Sequence, residues 1–206
     1  MRRALVLALL ALALPIAAWA SEINIVNKNG TCSISDAGIV CESSLIQFNN
    51  IKAGKNHSLG RVKFATGALS SGSIWTGGTF SDHHSYFDVI GTGYKGVPKG
   101  AIFTGAFVGP VMWTLVSQSG NGCPNAPCLY SFTLSGNISG QLWTGNTVNG
   151  STTQSITAYY GQWQRDGKGD VHLGNTHFVT PEPGTLGLLG IGLVGMAGAV
   201  RRKLSA

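Results

Sequence analysis

The sequence predicts an all-β domain, a single sandwich or jelly-roll-like unit, held between two apolar terminal segments. Three observations predict it. Apolar and polar residues alternate with period two through the middle of the chain. Turn-forming pairs interrupt that alternation at short intervals. Between the ends there is no amphipathic stretch of helical period and length, so no helix is expected outside the two terminal segments.

The first segment reads as an export signal. Arg2 and Arg3 precede an apolar run from Ala4 to Leu14, and Ala18-Trp19-Ala20 places small residues at the two positions a signal peptidase reads. The run is shorter than a membrane span and Pro15 interrupts it. Residues 1–20 are therefore expected to be a signal peptide cleaved after Ala20, leaving Ser21 as the new N-terminus.

Residues 21–180 form the exported β-rich domain. Strand patterns appear at Glu22–Val26, Leu45–Asn49, Leu59–Phe64, Tyr86–Ile90, Ala101–Phe107, Val111–Val116, Tyr130–Ser135, Ser155–Gln164 and Val171–Val179. Asn29-Gly30, Gly77-Gly78, Pro98-Lys99-Gly100, Asn121-Gly122, Asn149-Gly150 and Asp166-Gly167 are the turn signals between them. One internal echo is visible: the segment around Ile74-Trp75-Thr76-Gly77 aligns with that around Leu142-Trp143-Thr144-Gly145, which would mark two related strand-turn units.

The last segment, 181–206, opens with Pro181-Glu182-Pro183 and continues from Gly184 to Val200 without a charged residue. It ends in Arg201-Arg202-Lys203 and three further residues. As a helix the uncharged run rises roughly 25 Å, the lower limit for crossing a hydrocarbon core. The positive-inside rule keeps the basic end in the cytoplasm and places the β-rich domain outside.

Pro181-Glu182-Pro183, the glycine- and leucine-rich run behind it and the closing Arg201-Arg202-Lys203 together resemble the PEP-CTERM sorting domain. The same pattern is sometimes labelled an ice-binding protein C-terminal domain, an inherited label that is no evidence of ice binding. The resemblance covers only the C-terminal end. It implies processing at the Pro-Glu-Pro by an exosortase, transient anchoring in the inner membrane, and delivery to the cell surface or an exopolysaccharide matrix. Exosortase, signal peptidase and the inner membrane are then the expected partners, with exopolysaccharide as a candidate ligand.

Composition narrows what the exported domain can do. The chain is formally +6, but residues 21–180 hold nine Lys and Arg against seven Asp and Glu, a net +2. That removes the main support for a nucleic-acid partner, which needs a concentrated basic surface. Lys52, Lys55, Arg61 and Lys63 crowd together, and Arg61 and Lys63 read as the wet face of a strand. Cysteines come as Cys32 with Cys41 and Cys123 with Cys128 in an exported chain, where two local disulfides are the simplest of three connectivities.

Catalytic patterns are scarce: no nucleophile elbow, metalloprotease helix or phosphate loop is present, and no cofactor is expected. Asp82, Asp88, Asp166 and Asp170 sit in hydrophilic turns and are expected to be solvated. Asp82-His83-His84-Ser85, with Asp88 beyond it, could form a metal site with His57, His172 or His177, but neighbouring strand histidines point to opposite faces, which favours an exposed turn. Trp75, Trp113, Trp143 and Trp163 raise a carbohydrate-binding option against the plainer reading as core. The expectation is a non-enzymatic surface or matrix protein of structural or adhesive role, with a carbohydrate-binding module as the alternative and a hydrolase or ice-binding protein behind both.

Overall fold

The computed structural model describes the backbone of residues 22–119, 128–160 and 167–179, and their side chains except at 128, 159 and 160. These residues form β1 (Glu22–Ser35), β2 (Gly38–Phe48), β3 (Ile51–Lys52), β4 (Gly60–Ala65), β5 (Leu69–Ser73), β6 (Gly77–Phe80), β7 (Tyr86–Thr92), β8 (Lys99–Ser119), β9 (Cys128–Leu142), β10 (Thr147–Tyr160) and β11 (Gly167–Val179). A short 3-10 turn at Tyr94–Gly96 is the one helical element among the described residues.

Eight strands close into an antiparallel barrel. The sheet runs β8-β7-β4-β2-β1-β11-β10-β9, and β9 pairs back onto β8. The expected sandwich or jelly roll is thus corrected to a closed barrel, and the two predicted terminal helices, over 1–20 and 184–200, lie outside the described residues. Both architectures demand the same alternation, apolar inward and polar outward, so periodicity alone does not separate them. What separates them is one long bent strand.

The segments 101–107 and 111–116, separate in the sequence reading, are parts of β8. Between them the ladder with β9 breaks from Val108 to Met112, where Gly109 has φ +76° and Pro110 has no N–H to give. Asp82 Oδ2 accepts the Gly109 N–H at 2.7 Å and so replaces the lost partner. The first half of β8 pairs with β7, and beyond the bend the same edge pairs with β6, so β5 and β6 hang on the barrel as an outer hairpin. Gly105 faces Gly140 across β8 and β9, and the Phe103 ring folds over both α-carbons; a methyl group at either would collide with backbone oxygen of the other strand.

Side chains fill the interior. Phe64, Phe80, Phe87, Phe103, Phe132, Phe178 and Trp113 are fully buried, in keeping with an eight-stranded barrel just wide enough to be packed. Phe103 stacks near Phe178 at 4.3 Å between ring centres, and Trp113 lies parallel to Phe132 at 4.2 Å. The Trp113 Nε1–H donates to Ile74 O at 3.0 Å, tying the outer hairpin to the wall. One polar chain crosses this apolar interior: Asn27 Nδ2 donates to Ser43 Oγ and to Gln154 Oε1, each at 2.8 Å, and Gln154 Nε2 donates to Thr152 Oγ1 at 2.8 Å. Cys32 and Cys41, directly opposed in β1 and β2, are joined by a disulfide with Cα atoms 4.2 Å apart.

Candidate functional site

A concave feature of the outer wall is built from β1, β2 and the loop that follows β2. In β1 the pairing with β2 breaks between Lys28 and Thr31, with Asn29 at φ +54°, and this bulge leaves Lys28 and Asn29 exposed beside Ser44 of β2. At the end of β2 the chain turns back on itself: Lys52 of β3 pairs with Gln47, and Ala53 N–H donates to Ile46 O at 2.8 Å. A tight turn closed by His57 N–H on Gly54 O, with Asn56 at φ +63°, then brings Lys55 and His57 round to the same side. The Tyr94 ring stacks on His57 at 5.5 Å, and Lys95 Nζ reaches Lys52 O at 2.9 Å, so the 3-10 turn braces the loop from behind.

The result is an open cleft of about 700 Å³. Lys28, Lys52 and Lys55 line it together with His57, and among the described residues no Asp or Glu does. Two other basic residues of the wall do have a carboxylate: Glu42 holds both Arg61 and Lys63 at 3.2 Å. The four basic residues that crowd together in sequence are therefore split. Arg61 and Lys63 of β4 share the carboxylate of Glu42 on β2, whereas Lys52 and Lys55 join Lys28 from β1. Lys28 was missed in the sequence because it stands far from the loop and arrives only through the pairing of β1 with β2, for which no local signal exists.

Two carboxylates on this side of the barrel respond to their surroundings. The hydrogen bond from Lys63 holds Glu42 below the usual glutamate range, with Arg61 adding to it. Burial pushes Asp88 above the usual aspartate range, although Thr104 and Lys63 pull the other way. Asp88, Lys63 and Glu42 are consecutive rungs across β7, β4 and β2.

The other candidate residues are dispersed. Asp82 is occupied by the β8 bend, Ser85 Oγ accepts the Phe107 N–H at 3.1 Å, and His83 and His84 lie in the exposed turn between β6 and β7. His57 is at the cleft, His172 and His177 are on β11, and among the described residues no three His, Cys, Asp or Glu gather as a metal site would require. Asp88 and Asp170, expected in solvated turns, are instead half-buried on strands, Asp88 on β7 opposite Lys63 and Asp170 on β11 opposite Thr31. Trp113 is core, Trp75 is half-buried against Tyr130, and Trp143 is 44% exposed with its ring edge-on to Phe48. The echo around the two Trp-Thr-Gly segments falls on two hairpin turns, β5 to β6 and β9 to β10, where Ile74 and Leu142 are the buried residues and Gly77 and Gly145 take positive φ. The signal-cleavage residues Ala18, Ala20 and Ser21, the motif Pro181, Glu182 and Pro183, the basic Arg201, Arg202 and Lys203, the acidic Asp166, Trp163, and Cys123 lie outside the described residues, as does the side chain of Cys128.

β1 and β11 are neighbours, with Glu22 opposite Val179, so the chain enters and leaves the barrel side by side. A β-barrel whose exit strand runs straight into Pro-Glu-Pro, an uncharged run and a basic end has the build of an exported protein addressed by its C-terminus. Residues 179–203 match the family model of the PEP-CTERM protein-sorting motif. The chain carries that motif and is an exosortase-targeted protein. The match stops at the last residue of the barrel, and neither the curated proteins nor the solved structures compared with the chain include a match.

Proposed function

We propose that the protein is a non-enzymatic component of the cell surface or extracellular matrix. It is exported behind the signal peptide 1–20, held briefly in the inner membrane by residues 184–200, and then cut or transferred at Pro181-Glu182-Pro183. The sorting motif at 179–203 carries this reading. The barrel supports it, because its interior is filled by aromatic side chains and its polar groups are spread over the outer wall, which suits a robust module that presents a surface. Replacing Pro181, Glu182 and Pro183 by alanine should leave the full-length form in the inner membrane fraction. Normal release of the altered protein, seen by fractionation and terminal mass analysis, would refute the processing step.

A second reading, that the barrel binds carbohydrate, is favoured by one exposed aromatic ring. Trp143, in the turn between β9 and β10, presents its ring to solvent and packs edge-on to Phe48, a buried residue at the end of β2. An aromatic face covers the C–H side of a sugar ring while nearby amides meet its hydroxyls. Retention of the purified protein on matrix polysaccharide should fall about tenfold with Trp143→Ala, at unchanged thermal stability. Equal retention of both forms would remove Trp143 from the argument.

A further inference from the structure

The geometry points to the lysine-lined cleft as a binding site for acidic saccharides, whose rings carry both carboxylates and hydroxyls; this rests on the carbohydrate-binding reading above. The argument begins with charge. A surface cation ordinarily stays solvated or finds a carboxylate, and Glu42 serves Arg61 and Lys63 in this way. Among the described residues the cleft lining holds no carboxylate, although Lys28 of β1 meets Lys52 and Lys55 of the loop after β2 there. Like charges held together repel, and the arrangement becomes favourable when an anion enters between them.

The rest of the lining selects among anions. Asn29, Gln47 and Asn56 each bring an amide that both donates and accepts, which suits a hydroxyl group, whereas a fully ionised phosphate or sulfate uses only the donor half. Ile46 and Ala53 are half-buried in the floor and give apolar area to the C–H face of a ring. Cations, bifunctional amides and a small apolar floor together match a carboxylated sugar. A single strand of nucleic acid would instead need a row of exposed aromatic rings for its bases, whereas among the described residues the cleft lining holds no Phe, Tyr or Trp and its one ring, His57, is stacked on Tyr94. The cleft is open rather than enclosed, so a chain of sugars can run through it.

The test uses the purified full-length protein in detergent and isothermal titration with an oligogalacturonate. Lys52→Gln with Lys55→Gln is compared with Arg61→Gln with Lys63→Gln, which removes the same charge outside the cleft. The cleft pair is expected to weaken binding about tenfold or more, and the control pair to stay within about twofold of the parent. Equal loss in both would overturn the site in favour of bulk charge attraction, as would binding of double-stranded DNA in place of the oligogalacturonate. If the oligogalacturonate does not bind while a neutral glucan does, and Trp143→Ala abolishes that binding, the acidic site falls and the carbohydrate reading stands. If neither saccharide binds, both fall together.

Discussion

β1 and β2 carry a polar system on each of their two faces, and the two differ in almost every physical respect. On the inner face Asn27 and Ser43 are buried, and Asn27 donates both to Ser43 and, over Gly174 of the intervening β11, to Gln154 of β10. On the outer face Glu42 holds Arg61 and Lys63 in water, its side chain 45% exposed. A buried amide that loses its partner has no solvent to turn to, while an exposed carboxylate that loses a lysine is rehydrated at once. The inner system therefore fixes strand register, and the outer one sets the local charge. Only the outer face could have left lysines without a partner, since burying an unpaired ammonium would cost several kcal/mol.

The largest effect is expected inside. Asn27→Leu keeps the approximate volume but strands Gln154 Oε1 and Ser43 Oγ, and should destabilise the barrel by about 2–4 kcal/mol. Denaturant unfolding that shows a lower midpoint at unchanged slope would record this. Gly174 is adjacent in register to Asn27, and a methyl group there would run into Gln154 Oε1 and Asn27 Oδ1, so Gly174→Ala is expected to break the same network by steric means. If both variants melt like the parent, the network is an ornament of the interior and register is fixed elsewhere.

How much of this was legible beforehand follows the same inner and outer division. Alternation is written directly into residues such as Tyr130 to Ser135, so the all-β class and most strands could be read without a structure. Barrel closure could not, because the pairing of β8 with β9 is a fact about which edges meet, and the alternating pattern is silent on that. The bend that makes closure possible has a sequence mark, Gly109-Pro110, but that mark reads equally well as a break between two strands. The cleft was half legible. Lys52 and Lys55 stood out as a cluster, yet the residues that give them meaning are Glu42, which removes Arg61 and Lys63 from the group, and Lys28, which joins from another strand. Charge partnership depends on register, and register is set by long-range pairing. The sorting motif was fully legible because it is a linear address, recognised in order along the chain.

The smallest effects belong to the outer carboxylates, and they sharpen the comparison because the two residues titrate in opposite senses. Glu42 is held below the usual range by Lys63, so the stability it contributes is present above the ordinary glutamate value and is lost as pH falls through the lowered one. Glu42→Gln should therefore cost less than about 1 kcal/mol at neutral pH, an effect that shrinks with added salt. Asp88 is displaced upward by burial, and its Oδ1 has no hydrogen-bond partner among the described residues. Its folded form holds a proton more tightly than the unfolded chain does, so stability falls as pH rises from the ordinary aspartate value through the raised one. Asp88→Asn should remove that fall and leave the barrel at least as stable as the parent at neutral pH, with the two forms converging in acid. Melting temperatures of both variants measured across the acid range would show one slope of each sign. A loss of stability in Asp88→Asn at neutral pH would mean that attraction to Lys63 outweighs burial, and Asp88 would then belong with Glu42 as a partner of the outer lysine.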